Sequence, residues 1–585
     1  MFSIQDIPFS YRGSWLNISP VVAKHTHADD LHLISHQTGL HPVLRFTPSV
    51  ADTAVIATPA QLTWRHETGR VELAYESPDT IRLRGDGLGM RIAAAAPALT
   101  PFSGTYLYRD PVDGSHVFTA YETGRRYRLT VLRGEPAGSA GVQALGAADR
   151  HLTLPAGQPW EVAIEEYETA RRPYASTVPF HEIVNAAAAA FTAFADAVAP
   201  WRGPRTPAAE LAAYVLWSAT VAPAGFLARP AVLMSKHWMD KVWSWDHCFN
   251  ALALAAGQPE LAWDQFQLPF DHQDPSGALP DSVTHSEVLY NYVKPPIHGW
   301  ALRRLLDATA DRSRLAETYE RLAAWTGFWL ESRRVPGHDL PHYQHGNDSG
   351  WDNATTFDGD RVIETADLAA FLVLQLRCLA DLANELGEPT ARWAQTADRI
   401  QAAMLGQLWN GERFTARGAE TGQPRASTSL LDLMPIVLGA DLPGHVADAL
   451  ARRIETHLTA HGLATEPVDS PHYAADGYWR GPIWAPSTVL IEDGLRRAGH
   501  TDLADEISHR FRTLCEKSGF AENFDAETGA GLRDRAYTWT ASSYLILAAA
   551  HELRGSPARW TTSASTTPPS PTRRWQGSPE TTSPR

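Results

Sequence analysis

Carboxyl groups and indole rings occur together in one polar stretch of the chain. Residues 345–353 read His-Gly-Asn-Asp-Ser-Gly-Trp-Asp-Asn, with Asp348 and Asp352 four residues apart beside Trp351. Their Gly, Asn, Asp and Ser content is typical of a loop. A carboxyl group can protonate a glycosidic oxygen, amides can hold hydroxyls, and an indole face can cover a sugar ring. The stretch therefore suits a carbohydrate site, although a solvated loop with an Asx-turn would have the same composition.

Four further loop-like stretches combine aromatic and carboxylate side chains. They span residues 238–247, 271–298, 478–484 and 520–529, and the last is followed by Tyr-Thr-Trp-Thr at 537–540. Five such stretches favour one shared pocket over five unrelated roles. We predict that the pocket binds substrate through Trp243, Trp245, Asp246, Tyr292, Lys294, Asp348, Trp351, Tyr478, Trp479, Arg480, Trp484 and Trp539.

Each stretch also has a structural alternative. Asp246 could lie at a helix N-terminus, and residues 292–298 could be a rigid turn around Pro-Pro. Arg480 could be a buried, paired arginine, and Glu522 could be an ordinary surface carboxylate.

Two carboxyl groups are the minimum for cleaving a glycosidic bond, because one gives a proton and the other activates water or attacks. Asp352 directly follows an indole, and burial against an indole raises a carboxyl pKa. Glu522, between aromatic residues and Asn523, is the best candidate for the second group. We predict Asp352 and Glu522 as the catalytic pair.

The elements that must position these loops fall into two halves. Up to about residue 170 the apolar pattern alternates, as at 71–75, 80–84, 126–132 and 160–166, with turn residues between. Alternation of this kind is typical of antiparallel strands. We predict a β-sandwich domain over residues 1–175.

After about residue 178 the apolar period becomes helical. This pattern predicts helices at 181–198, 207–222, 298–311, 314–331, 364–386, 390–408, 429–438, 444–457, 485–498, 503–518 and 538–553. Their pairing suits a toroid of helical hairpins, and we predict such an (α/α)6 catalytic domain over 176–556 with the chemistry in loops at one mouth. The Ser/Thr/Pro-rich residues 557–585 are predicted to be a disordered tail.

Composition excludes several functions for this chain of 585 residues. A net charge of -15 without a basic run argues against a nucleic-acid or anionic-membrane partner. No apolar stretch of membrane-spanning length or signal peptide is visible, so we expect a cytoplasmic protein. Neither the three distant cysteines nor the histidines form a metal motif, so we predict no metal and no cofactor. The expected partner is a small carbohydrate, and the oligomeric state stays open.

Four motifs, taken in order, carry a family resemblance. Trp-Ser-Trp-Asp at 243–246, Asp-Ser-Gly-Trp-Asp-Asn at 348–353, Tyr-Trp-Arg-Gly-Pro-Ile-Trp at 478–484 and Glu-Asn-Phe-Asp-Ala-Glu-Thr-Gly at 522–529 resemble the (α/α)6-barrel glycosidases of glycoside hydrolase family 63. They are similar also to mannosylglycerate and glucosylglycerate hydrolases and, more distantly, to trehalases. The resemblance implies an inverting α-glycosidase with Asp352 as general acid and Glu522 as general base. It also implies that Asp246, Trp245, Trp351, Trp479, Arg480 and Trp484 line the sugar subsite.

The function we predict is an exo-acting, α-glucosidase-like hydrolase of small α-glucosides or α-mannosides. A mannosylglycerate or glucosylglycerate hydrolase and a trehalase-like enzyme are alternatives within the same class. A non-catalytic carbohydrate-binding barrel is an alternative of another class, although a binding protein has no need of an acid–base pair. A phosphorylase would need a phosphate cradle, which the sequence does not show.

Overall fold

The computed structural model describes residues 1–140, 150–309 and 311–555. The predicted tail at 557–585 lies outside the described residues.

The first part of the chain is built from strands. They are β1 (Phe9–Ser10), β2 (Leu16–Ala23), β3 (Thr26–Ser35), β4 (His41–Pro48), β5 (Ala54–Ala57), β6 (Leu62–His66), β7 (Gly69–Ser77), β8 (Thr80–Asp86), β9 (Met90–Ala94), β10 (Thr105–Arg109), β11 (His116–Ala120), β12 (Arg126–Arg133), β13 (Gly138–Ala140), β14 (His151–Leu154) and β15 (Trp160–Tyr167). One antiparallel sheet has the order β1-β2-β3-β4-β9-β14-β13 and the other β10-β11-β12-β15-β8-β7-β6-β5.

Both sheets bury one face in the same apolar cluster. Ile18 and Leu44 come from the first sheet and Leu83 and Val162 from the second. Alternate residues of each strand point to the same face, so the alternating pattern of the sequence places these side chains inside. The four stretches that the pattern singled out lie within β7, β8, β12 and β15.

The second part of the chain is mainly helical. Its helices are α1 (Phe180–Val198), α2 (Ala209–Ala219), α3 (Asp246–Leu254), α4 (Pro259–Gln267), α5 (His298–Thr309), α6 (Leu315–Glu331), α7 (Ala366–Leu386), α8 (Ala391–Gln407), α9 (Gly444–Thr456), α10 (Ala485–Arg497), α11 (Thr501–Ser518) and α12 (Thr538–Gly555). Shorter 3-10 helices lie at Phe270–His272, Gly346–Ser349 and Thr355–Phe357.

Two features of this part differ from the prediction. The helix predicted at 429–438 is the longer 3-10 segment Leu430–Asp441, which contains Pro435 and a kink at Gly439. Proline lacks the N–H that an α-helical turn needs. Helices α3 and α4 had not been predicted. The first turns of α3 are buried on every side, so its sequence lacks the amphipathic period that marks a surface helix.

The helices pack in a closed circuit. Helix α3 contacts α5, α5 contacts α7, α7 contacts the Leu430–Asp441 segment, that segment contacts α10, α10 contacts α12, and α12 contacts α3. Each has a second partner, among α4, α6, α8, α9, α11 and α2. None of the helices in the described ranges is both long and apolar enough to span a membrane.

Short strands between the helices fix the loops that carry the candidate residues. The strands are β16 (Thr220–Val221), β17 (Ala231–Val232), β18 (Val242–Trp243), β19 (Ser282–Val283), β20 (Val288–Leu289), β21 (His342–Tyr343), β22 (Ile363–Glu364), β23 (Ala416–Gly418), β24 (Pro424–Arg425), β25 (Asn523–Phe524) and β26 (Gly531–Leu532). They form antiparallel sheets β16-β17, β18-β19-β20, β21-β22-β23-β24 and β25-β26.

Candidate active site

One pocket gathers residues from all the loops that the sequence singled out except 520–529. The predicted residues that line it are Trp243, Trp245, Asp246, Lys294, Asp352, Tyr478, Trp479, Trp484 and Trp539. Met239, Gly350 and Tyr537 also line it and had not been predicted as site residues. Met239 and Tyr537 belong to the 238–247 and 537–540 stretches, in which the sequence signal comes from the indoles and carboxylates beside them.

The pocket wall is a group of indoles packed against one another. Trp479 and Trp484 are stacked with ring centroids 4.0 Å apart and an interplanar angle of 5°. Trp539 packs edge-on against Trp484 at 5.5 Å and against Trp245 at 5.7 Å. The Trp484 Nε1–H donates to the Tyr478 carbonyl oxygen at 2.8 Å. Mutual packing leaves these rings few alternative rotamers, so the wall is rigid before any sugar binds.

Asp246 occupies the first turn of α3 and faces the pocket. Asp246 therefore lies at a helix N-terminus, as the structural alternative expected. It also lines the pocket, as predicted. The positive end of the helix dipole lies at this carboxyl group.

The loop at 345–353 reaches the pocket through a tight turn. Gly350 has φ +74° and lies directly against the Trp245 ring, so a Cβ there would come within 2.5 Å of that ring. The Ser349 hydroxyl accepts a hydrogen bond from the Trp351 N–H at 3.1 Å. This turn brings Asp352 to the pocket, and it requires glycine at residue 350.

Asp348, which was predicted to bind substrate, is not among the residues that line the pocket. Its carboxylate is buried, lies 2.8 Å from an Arg333 nitrogen, and accepts the N–H groups of Val293 at 3.2 Å and Gln344 at 2.9 Å. Asp348 thus ties the 345–353 loop to the loop that carries Lys294.

Arg480, Trp351 and Tyr292 also lie outside the pocket lining. Arg480 pairs with Asp358 and donates to the Asn353 carbonyl oxygen at 2.7 Å, so it resembles the paired arginine of the structural alternative, although it is partly exposed. Trp351 is buried behind Trp479, with ring centroids 4.6 Å apart. The half-buried Tyr292 ring stacks on His345 at 5.0 Å. These three residues support the loops behind the lining.

A buried cation lies among three carboxylates at the pocket. The Lys294 Nζ is 3.1 Å from Asp281 Oδ1. Burial raises the pKa of Asp246 well above its usual range and also raises that of Asp352, while Lys294 opposes both shifts. Burial alone would lower the Lys294 pKa, but Asp352, Asp281 and Asp246 outweigh it and raise that pKa. Asp281 lies within the 271–298 stretch but is not one of the predicted site residues.

Glu522 adjoins the pocket without being part of its lining. Its side chain is buried, and its N–H donates to the Asp534 carbonyl oxygen at 2.7 Å. Burial and the neighbouring Asp534 raise the Glu522 pKa to about 7, against the opposing effects of Arg533 and a hydrogen bond with Tyr478. Tyr478 itself lines the pocket, so it connects Glu522 to it. A surface position for Glu522, the structural alternative, is wrong.

Comparisons with known proteins identify the family of this chain. The sequence model of the mannosylglycerate hydrolase MGH1-like glycoside hydrolase domain matches residues 239–540. The mannosylglycerate hydrolase of Rubrobacter radiotolerans is 26% identical over 418 residues, which cover 55% of this chain and 92% of that protein.

Two solved structures are similar in fold. The GH63 mannosylglycerate hydrolase from Thermus thermophilus in complex with glucose has a TM-score of 0.52 at 22% identity, covering 58% of this chain and 99% of that one. A bacterial glucoamylase complexed with acarbose has a TM-score of 0.64 at 11% identity, covering 94% of each chain, and so includes the β-rich part. The prediction that a β-rich part precedes a helical-barrel glycosidase is therefore confirmed. The chain belongs to the mannosylglycerate hydrolase MGH1-like glycoside hydrolase family and is a GH63-like glycosidase.

Proposed function

We propose that the protein is an inverting, exo-acting α-glycosidase that hydrolyses small α-mannosides or α-glucosides. The observation that carries the proposal is a pair of carboxyl groups with raised pKa: Asp352, which lines a pocket walled by indoles, and the buried Glu522, which adjoins that pocket through Tyr478. Carboxyl groups whose environments shift their pKa values are what acid–base chemistry on a glycosidic bond requires.

In this proposal Asp352 is the general acid. Its partly buried position raises its pKa and so favours the protonated form, and it would give that proton to the glycosidic oxygen as the bond to the anomeric carbon breaks. Lys294 and Asp246, which line the same pocket, are placed to hold sugar hydroxyls by charge-assisted hydrogen bonds. The stacked indoles would cover the apolar face of the ring.

Glu522 is the general base in this proposal. With a pKa of about 7 it is basic enough to remove a proton from water at neutral pH. The resulting oxygen nucleophile would attack the anomeric carbon from the side opposite the leaving group, and a single displacement inverts its configuration.

The relatives indicate which substrates to test first. A mannosylglycerate hydrolase is the relative with 26% identity, and the similar structures hold glucose and acarbose. We therefore place mannosylglycerate ahead of simple α-glucosides as the first candidate, within the same proposed reaction. The family model matches residues 239–540. This match does not identify which leaving group the enzyme accepts.

The same proposal includes the finer architecture. We propose that the two sheets form a sandwich domain over residues 1–175 and that the helical circuit is an (α/α)6 toroid over 176–556. The shared apolar cluster of the sheets and the closed circuit of helix contacts support this division.

The test replaces each carboxyl group by its amide. We expect Asp352→Asn and Glu522→Gln each to lower kcat at least about 10²-fold, since positioned proton transfer contributes about 10²–10⁴-fold. Glu527, an exposed carboxylate five residues after Glu522, supplies the matched control Glu527→Gln, which should keep full activity. Full activity in either amide variant would overturn the assignment. Sugar binding without turnover by the unaltered chain, measured by calorimetry, would support the non-catalytic barrel.

A further inference from the structure

A buried histidine–aspartate pair lies directly behind Glu522. The His237 Nδ1 is 3.1 Å from Asp534 Oδ1, and the two side chains are 2% and 0% exposed. Asp534 Oδ1 also accepts the Ala536 N–H at 3.0 Å, while the Asp534 carbonyl oxygen accepts the Glu522 N–H at 2.7 Å. One residue therefore fixes the backbone at Glu522 and brings a second carboxylate beside it.

The His237 ring is linked to the β-rich part of the chain through Trp238. His237 stacks on Trp238 with ring centroids 5.8 Å apart, and Trp238 contacts the ring of His25 at 4.8 Å. His25 lies in the turn between β2 and β3 with φ +58°. The buried Nε2 of His237 has no hydrogen-bond partner within 1–140, 150–309 and 311–555, so Asp534 and Trp238 determine how the ring is oriented.

Several charged and polar groups around Glu522 affect its pKa, and Asp534 of the histidine–aspartate pair is one of them. After burial, Asp534 is the strongest influence that raises the Glu522 pKa. Arg533, the hydrogen bond with Tyr478, and Lys24 on the β2–β3 turn lower it. The Tyr537 hydroxyl also faces this carboxyl group. Burial would raise the pKa of Asp534 itself, but its interactions with His237 outweigh burial and lower that pKa. Asp534 therefore stays ionised and repels negative charge on Glu522.

We propose that His237 and Asp534 are positioning residues for the general base, which hold the backbone of Glu522 in place directly before β25 and keep a second carboxylate beside it. The inference rests on the proposed role of Glu522. His237 precedes the family match at 239–540, and its support comes from the β2–β3 turn. The β-rich part would then contribute to the active site itself.

Three variants separate charge from position. Asp534→Asn keeps the side-chain oxygen and removes the charge, so we expect the midpoint near pH 7 in the profile of kcat/KM to move down by about one pH unit. His237→Ala removes the donor, and kcat should fall about 10–100-fold. His237→Asn places an amide N–H near the position of Nδ1 and should recover most of that loss. Mannosylglycerate and 4-nitrophenyl α-D-mannoside are the probes.

The chain offers a matched control in a second buried pair. His36 Nδ1 lies 3.1 Å from Asp240 Oδ2, with side-chain exposures of 0% and 9%. Asp240→Asn likewise keeps the side-chain oxygen and removes the charge, in the loop that also carries His237, and it should leave the midpoint near pH 7 where it is. An equal shift in Asp240→Asn and Asp534→Asn would contradict a specific role for Asp534.

A second measurement needs no substrate. The difference in thermal midpoint between the unaltered chain and the Glu522→Gln variant changes between the unfolded-state and the folded-state pKa of Glu522. In an Asp534→Asn background the upper end of that range should move to lower pH. Activity in Glu522→Gln would defeat the proposed function. An inactive Glu522→Gln with an unmoved titration in Asp534→Asn and no rescue by His237→Asn would defeat this inference alone.

Discussion

At the scale of single residues, the site depends on carboxyl groups that are shielded from water. Because water stabilises the charged form, this shielding raises their pKa values. Glu522 has a folded-state pKa of about 7 against an ordinary value of 4.5. Between these values the folded chain binds a proton that the unfolded chain has released. This group therefore takes stability away as pH rises from about 4.5 to about 7, and the loss is complete above that range.

Replacing Glu522 by Gln should remove this loss. We expect Glu522→Gln to raise the free energy of unfolding by roughly 3 kcal/mol at pH 8 and to change it little at pH 4, since each pKa unit corresponds to about 1.4 kcal/mol. Thermal denaturation at both pH values measures the difference. A variant that is no more stable than the unaltered chain at pH 8 would show that the carboxyl group is not desolvated.

Lys294 lowers the carboxyl pKa values at the same pocket, against the effect of burial. It lies among Asp246, Asp281 and Asp352, and its removal leaves two buried carboxyl groups and the partly buried Asp352 without their cation. We expect Lys294→Met to cost about 3–5 kcal/mol. The cost should grow as pH rises above the ordinary carboxyl range, because the variant must then bury uncompensated negative charge or retain protons. The measurement is denaturation of Lys294→Met over a range of pH values. Lys517→Met, at an exposed site, is the control. A loss of stability that does not depend on pH would contradict this account.

At the scale of elements, the sequence identified loops better than it identified which face of a loop meets the substrate. Trp245 and Asp246 line the pocket, and the unusual combination of an indole beside a carboxylate is what singled them out in the sequence. Asp348 and Arg480 have the same chemistry, but partners distant in sequence, Arg333 and Asp358, turn them away from the pocket. Helix α3 was missed because burial on all sides removes the period by which a helix is recognised.

The turn at Gly350 tests how tightly the acid-bearing loop is built. A Cβ at this position would approach the Trp245 ring to 2.5 Å, and φ is +74°. We expect Gly350→Ala to lose at least about 1–3 kcal/mol of stability and to lower kcat, because the loop must move to relieve the clash. Gly337, with φ +88° and open space around its Cβ position, provides the control Gly337→Ala for conformational strain alone. Equal effects of the two substitutions would show that contact with Trp245 is unimportant.

At the scale of the whole molecule, a buried amine joins the β-rich part to the loop before the pocket. Lys236 Nζ donates to Ser10 Oγ at 2.9 Å and to the Ser14 carbonyl oxygen at 2.6 Å. Burial lowers the Lys236 pKa well below its usual range. The unfolded chain therefore binds a proton that the folded chain does not, and the amine's contribution to stability improves as pH rises toward its ordinary range.

We expect the pH dependence of stability to reveal the buried Lys236 amine. Relative to the unaltered chain, Lys236→Met should be most favourable at low pH and should lose that advantage as pH rises, because methionine has no proton to release on burial. Thermal denaturation of the two proteins at pH 6 and pH 9 gives the comparison. A difference that stays constant with pH would mean that the buried amine does not titrate on unfolding.

The central claim is that Asp352 and Glu522 carry out a single displacement at an α-glycosidic bond. Proton NMR of the sugar released from mannosylglycerate, recorded before the anomers equilibrate, tests it most directly. If mannosylglycerate is not cleaved, the same measurement applies to glucosylglycerate and the other small α-glucosides. The account predicts that the β-anomer appears first. First appearance of the α-anomer would mean retention and would contradict the assigned roles of both carboxyl groups.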